Sequence, residues 1–312
     1  MKKDRSVFKI IGRCWSARYG RVRFRLVDIN CIAYLSLLAL LLVFFHKSVS
    51  KWEHYVLLHA VLVVAVMEIV RLGERNPHRN SLWILRTFYP VAVILFGWGE
   101  IDALGPMFFG AYWSTEAVIR LDKFLFGVHP TVWVQKFYRP WLDELMCIFY
   151  SGYYLFLPIV SLTLFIKKKR DETLAAFSVV TLTYFSNYLL FFLFPTLSPA
   201  MADALHGLNT QQYTGYIMAG ITRLVQAHGA VRGGTIPSSH ISAAFVWSFV
   251  AFRYQKKLGY GLLPLAFAVA VSTVYLGYHH AVDPILGIVW ALLWYPVALR
   301  IIKARDEDPI IG

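Results

Sequence analysis

The stretch LVDINCIAYLSLLALLLVFFH, residues 26–46, decides the class of this chain. It carries one acidic residue and no Lys or Arg. A helix of that length rises about 31 Å at 1.5 Å per residue, which matches the roughly 30 Å hydrocarbon core of a bilayer. Seven further apolar runs follow at 54–70, 82–100, 143–166, 174–194, 240–252, 259–278 and 283–302. The run at 240–252 is short and is expected to extend backwards through Ile236. Composition agrees with membrane residence: 58% of the 312 residues are hydrophobic and 16% are charged. A soluble domain is about 45–50% apolar and 25% charged. A disordered chain, a collagen-like chain and a small disulfide-stapled scaffold are excluded. The expected fold is all-α, a polytopic membrane helix bundle of about eight transmembrane helices. The first 25 residues lack the form of a cleavable signal, so the first span is expected to stay as an anchor.

The net charge is +13, and its placement gives the orientation. With the N-terminus in the cytoplasm, 23 of the 31 Lys and Arg residues fall on the cytoplasmic side and eight on the other. Nine of them precede the first span. By the positive-inside rule both termini are expected to be cytoplasmic. The basic N-terminal tail is expected to meet anionic lipid, and no nucleic-acid partner is expected. Cys14, Cys31 and Cys147 are scattered without a CxxC pair, so neither a zinc site nor a disulfide framework is indicated.

Two external connections are long. Residues 101–142 are rich in Trp, Phe and Tyr, which favour the membrane interface; short interfacial helices over the bundle rim are expected, with a lid or lipid-entry gate as the sharper alternative. Residues 195–239 carry apolar side chains at helical spacing, at Tyr213, Ile217, Ile221, Leu224 and Val225. Polar groups inside spans need a reason. Glu68 and Arg86 are expected to snorkel from helix ends, and His59 and Asn187 to bond between helices. Asp143 and Glu144 are expected to complement the dipole of their own helix.

One polar cluster stands apart. Pro237-Ser238-Ser239-His240 opens the sixth run, and STVYLGYHHAVD, 272–283, ends the seventh and starts the eighth. Both segments fall on the same, external side. The set lacks HExxH or other zinc-ligand spacing beyond adjacent histidines, so metal is disfavoured and no cofactor is implied. No GxSxG elbow is present, which weakens a serine-hydrolase reading. Two imidazoles and one carboxylate suit metal-free phosphoryl transfer: one ring attacks phosphorus, an Asp orients it, and the other ring protonates the leaving oxygen. Asp283 lies four residues after His279 and three after His280, and either spacing permits the pair. Ser238 and Ser239 at a helix start, with Arg232 before them, would hold the phosphate. Helix capping is the competing explanation, with Ser238 or Ser239 as one N-cap and Asp283, ahead of Pro284, as another.

PSSH followed by S-x6-H-x3-D resembles the second and third motifs of the phosphatidic acid phosphatase type 2 superfamily. The match sets Pro237, Ser238 and His240 on one motif and Ser272, His279 and Asp283 on the other. The resemblance implies a six-helix core, His279 as nucleophile, Asp283 as its orienting partner and His240 as general acid. Ser239 stands where that family has Gly, Thr273 where it has a phosphate-binding Arg, and the first motif, K-x6-RP, is absent. Lys136, Arg139 and Pro140 mimic that motif at the wrong spacing, which leaves Arg232 and Arg223 as candidate clamps. LDKFLFGVHPTVWVQ (121–135), YSGYYLFLPIV (150–160), FLFPTLSPA (192–200) and PSSH in that order resemble the inositol phosphorylceramide synthase branch.

The resemblance implies a membrane enzyme acting on a lipid phosphate at the non-cytoplasmic face. A lipid hydroxyl or water would be the acceptor. A plain lipid-phosphate phosphatase and a non-catalytic transporter or scramblase are the alternatives. Residues 1–80 would form a basic tail and two leading spans, and residues 81–305 the catalytic body.

Overall fold

The structure, a computed structural model, describes residues 18–20, 22–202 and 212–309. The basic tail up to residue 17, and Arg21, lie outside the described residues, so the expected contact with anionic lipid falls largely there. Ten helices of at least twelve residues form among the described residues. They are α1 (Leu26–Phe45), α2 (Trp52–Arg75), α3 (Asn80–Leu104), α4 (Thr115–Phe126), α5 (Pro140–Ile166), α6 (Arg170–Leu193), α7 (Ile217–Gly229), α8 (Ser239–Tyr254), α9 (Lys256–Tyr275) and α10 (Val282–Ala304). No strand forms among them; one isolated bridge joins Thr196 to Gly234. Seven helices, all but α4, α7 and α8, are long and apolar enough to cross a bilayer. The chain is an integral, multi-pass membrane protein with an all-α bundle.

The sixth expected span is α8, and its shortness has a physical cause. At 1.5 Å per residue its 16 residues reach about 24 Å, less than a hydrocarbon core. It is walled in by α5, α6, α9 and α10. A helix that meets protein on all sides needs neither full membrane length nor a uniformly apolar surface. Ser239, Ser242 and Ser248 are accordingly buried on it, the last two donating to carbonyls one turn back. The expected extension through Ile236 does not occur, because Ser238 caps the helix: its side chain accepts from Ile241 N at 3.4 Å. The centre is packed with large rings. Trp247 of α8 is fully buried and meets Phe177 of α6 edge-on at 5.8 Å. Such ring burial dominates core energetics.

α1 packs against α2 and α6, and α3 against α2 and α6. One continuous hydrophobic cluster runs through these helices and the α8–α9 centre. Prolines lie inside α3, α5, α9 and α10, a residue that membrane-spanning helices tolerate. Short helices do occupy the aromatic connection 101–142: α4, and a single turn at Pro130–Trp133. Phe124 on α4 is 84% exposed, whereas Asp122 on its other face is 2% exposed. The helical spacing read in 213–225 becomes α7, with Tyr213 just ahead of it.

Several polar expectations change. Arg86 does not snorkel. It is 3% exposed and holds Asp28 of α1 at 2.6 Å. Asp28 also accepts from Tyr89 at 2.5 Å and from Arg25 N at 2.7 Å. Two carboxylate oxygens satisfied three times over keep both ends of the pair inside the bundle, which outweighs the pull toward water. Glu68 stays near the surface with Arg18 and Arg71. His59 of α2 faces Glu100 of α3 at 3.3 Å, and Asn187 of α6 lies 3.4 Å from Ser242 Oγ of α8, both polar contacts between helices. Glu144 serves a different helix from its own: it accepts from Tyr216 N, Met218 N and Ala219 N and so caps α7.

Candidate active site

The end of the bundle that carries the α8 N-terminus also carries the α9–α10 turn. The reason lies in two backbone contacts. Ser238 N donates to the Asp283 carbonyl at 3.1 Å, and a Cβ on Gly287 would lie 2.8 Å from the Ser238 carbonyl. A hydrogen at Gly287 lets α10 approach this closely. The turn itself is fixed by Thr273, whose carbonyl accepts from Tyr278 N at 2.9 Å and His279 N at 3.2 Å.

Within this frame three side chains form a line. The His279 Nδ1 lies 3.1 Å from Asp283 Oδ2, and its Nε2 lies 3.1 Å from Ser238 Oγ. The carboxylate fixes the proton on Nδ1 and leaves the Nε2 lone pair to accept from the Ser238 hydroxyl. Asp283 Oδ2 also takes His280 N at 3.0 Å. Asp283 is the second residue of α10, with Ala281 as N-cap; the capping role expected for it goes elsewhere. Asp122 of α4 performs it, accepting from Ala281 N at 2.8 Å and Val282 N at 2.9 Å. His280 turns away and donates from Nε2 to the Leu197 carbonyl at 3.0 Å. The open choice between the histidines is thus resolved in geometry: the side chain of His279 faces Asp283. Burial lowers the His279 imidazole to about 4, so it is neutral near pH 7.

His279 and His240 line one cavity of about 390 Å³, within the usual range for small-molecule sites. Their ring centres are 5.6 Å apart. His240 sits among aromatic rings: Tyr153 at 4.5 Å, Trp98 at 5.6 Å and Tyr150 at 6.1 Å. Its Nδ1 is buried with no hydrogen-bond partner among the described residues. Ser239 also lines the cavity, and Ser238 stands behind it as partner to His279.

Arg232 is not brought in. Its side chain is exposed, and the loop is held instead by Arg232 N on Asp102 at 3.3 Å. The guanidinium of Arg223 is committed to the Tyr213 and Thr214 carbonyls. Lys136 lies over the Trp133 ring, and Thr273 faces its own helix, bonding Ala270 O. Among the described residues no Lys, Arg, Asp or Glu lines the cavity. Two features escape a reading by motif. Asp122 acts on backbone amides about 160 positions away. The cavity walls draw six tyrosines and Trp98 from α3, α5, α6 and the α9–α10 turn, and a tyrosine in an apolar span reads as core.

Comparison with known proteins gives the family. The PAP2 superfamily profile matches residues 116–297, more than half of the chain, from α4 into α10; the chain belongs to the PAP2 superfamily. A PA-phosphatase related-family protein of Dictyostelium discoideum is 29% identical over 104 residues, covering 32% of this chain and 19% of that protein. The chain therefore matches only about a fifth of this curated relative's length. No solved structure matches. Trp98 and the rest of α3 lie outside the matched region.

Proposed function

We propose that this PAP2-superfamily protein moves a phospho-head group between membrane lipids through a phosphohistidine on His279. The observation that carries the proposal is the shared cavity: two imidazoles from distant chain segments face it, with a carboxylate behind only one of them. In the first step His279 Nε2 attacks phosphorus. The bond from phosphorus to the donor lipid's oxygen breaks, and that oxygen takes its proton from the His240 imidazolium. Asp283 supports the positive charge that develops on His279. In the second step an acceptor hydroxyl attacks phosphorus, its proton passes to the neutral His240, and the phosphorus–nitrogen bond breaks.

A lipid hydroxyl as acceptor gives a transferase, as in the inositol phosphorylceramide synthase-like reading; water gives a phosphatase. Two observations weigh on the choice. Among the described residues no Lys or Arg lines the cavity to neutralise a free phosphate product, which favours transfer. The relative's name, PA-phosphatase related, favours hydrolysis. The positive-inside pattern supports cytoplasmic termini and a site on the opposite face. Residues 81–305 are the catalytic body in this proposal and residues 1–80 a basic tail with two bracing spans. Purified protein given a labelled phospholipid, with and without ceramide or diacylglycerol, tests it. Label is expected to move to the acceptor lipid. Acceptor-independent release of inorganic phosphate would instead establish the phosphatase reading.

A further inference from the structure

The two imidazoles of the site are held by different means. His279 is fixed at both ring nitrogens, by Asp283 and by Ser238. His240 is not: its Nδ1 is buried without a hydrogen-bond partner among the described residues. The direction of its ring is set by what packs against it. Three rings do so, Tyr153, Trp98 and Tyr150, and each is anchored at its own polar atom. The Tyr153 and Tyr184 hydroxyls bond at 2.5 Å, Gln226 donates to the Tyr150 hydroxyl, and the Trp98 indole N–H donates to the Gly229 carbonyl at 3.1 Å.

Trp98 differs from the two tyrosines in three respects. Its plane stands at 88° to the imidazole, an edge-to-face arrangement of the kind aromatic pairs prefer, whereas the tyrosines are tilted at 54° and 35°. It belongs to α3, outside the region the family profile matches, while both tyrosines lie inside that region. Its anchor is the last residue of α7, where a helical carbonyl has no partner within its own helix. The indole also meets the loop ahead of α8, since a Cβ on Gly234 would lie 3.6 Å from Trp98 Cζ3. α3 is pinned at this level on two sides, by His59 on Glu100 at 3.3 Å and by Arg232 N on Asp102 at 3.3 Å.

Direction matters to a general acid, whose proton must come within about 2.6–3.2 Å of the leaving oxygen. A misplacement of about 1 Å costs roughly 10²-fold. Resting on the proposed role of His240 as general acid, we propose that Trp98 is a positioning residue for proton transfer: braced by α3 and latched to the end of α7, its indole sets the His240 ring toward the leaving oxygen. A helix outside the family-matched region thereby serves the chemistry.

The leaving group separates a positioning ring from a ring that only fills space. A lipid alkoxide departs with a proton from the acid; 4-nitrophenolate departs without one. The test uses the full chain in detergent and two ³²P donors, phosphatidylinositol and phosphatidate. The faster of them is compared with the 4-nitrophenyl ester of the same phospho-head group, and the readout is the rate of base-stable, acid-labile labelling of the protein. Trp98→Leu is expected to slow labelling from the lipid about 30-fold, with KM within two-fold, and labelling from the aryl ester by no more than about three-fold. Trp98→Phe, which keeps a ring and loses the N–H, is expected to recover most of the lipid rate, leaving a loss of about three-fold on the lipid and none on the aryl ester. His240→Ala should show the same selectivity at about 10²-fold, and Trp98→Leu added to it should cost nothing further. Equal loss on both donors, a loss confined to KM, or no loss would overturn the proposal and leave the His279 chemistry standing; where Trp98→Leu fails to fold, the same comparison in Trp98→Phe decides. Equal loss on both donors in His240→Ala would remove the acid role and the proposal together, and label from neither lipid in the unaltered protein would remove the His279 chemistry as well.

Discussion

Two buried carboxylates at opposite ends of the bundle show how context decides between bracing and chemistry. Asp28, in the first turn of α1, and Asp283, in the first turn of α10, are both fully buried. Each accepts a nearby backbone amide, Arg25 N in one case and His280 N in the other. They differ in the third partner and in what lies beyond it. Asp28 faces the permanently charged guanidinium of Arg86, and neither lines the cavity. Asp283 faces an imidazole that does, with its other nitrogen on the Ser238 hydroxyl. A guanidinium has no lone pair to give and stays charged, so its pair can only hold helices together. An imidazole can lend its lone pair to a reacting atom. Position at a helix start is shared; the titratable partner and the empty space are not.

Exchange of roles is the sharpest way to break this comparison. His279→Ala is expected to lower turnover by about 10³-fold or more with little change in thermal stability, since removal of a nucleophile that acts as part of a unit costs nearly the whole effect. Arg86→Ala is expected to do the reverse, destabilising by about 3–5 kcal/mol because Asp28 is left charged and buried. Turnover assays and thermal unfolding on the two proteins separate the cases. Equal loss of stability in both would erase the distinction. Asp122 gives the next largest effect. Asp122→Ala frees the turn that carries His279, and a misplacement of about 1 Å costs roughly 10²-fold. The loss is expected in kcat with KM nearly constant, and Asp122→Asn, which keeps one acceptor oxygen, should recover part of it.

Gly287→Ala probes the contact between α10 and Ser238. The added methyl meets a carbonyl at 2.8 Å, and overpacking of this kind costs about 1–3 kcal/mol; a lower unfolding temperature and a weaker kcat/KM should appear together. The smallest effect lies in pH. Burial lowers the His279 imidazole to about 4 from its ordinary 6.5, so the reactive neutral form persists through mild acid. The acid limb of kcat/KM, which reports the free enzyme, is expected near pH 4, with rate lost as pH falls through it. A limb at 6.5 would mean that water reaches the ring.

Much of the bundle is legible in the sequence, because a bilayer imposes one length and one polarity on every lipid-facing helix. All eight runs became helices, with ends within a few residues. The boundary that moved most in meaning is the start of α8, where Ser238 as cap stops the helix short of Ile236. Pairings across the bundle are not legible. Arg86 reads as an interfacial residue until Asp28 of α1 is seen opposite. Glu144 reads as serving its own helix until α7 is laid over it. The site divides the same way. His240, His279 and Asp283 stand out as polar groups in apolar surroundings. Asp122 carries no local sign of its work, and the tyrosines of YSGYYLFLPIV look like filling until four elements turn them toward one void.

α4 joins two surroundings through a few ångströms of helix. On one side Phe124 projects almost bare; on the other Asp122 steadies the loop that presents His279. The most exacting alignment in the proposed site is therefore moored to a helix with one bare face. Stripping of native lipid, or exchange for a short-chain detergent, is expected to slow turnover well before the long helices melt, so rates measured in micelles and in bilayers should diverge while circular dichroism stays the same.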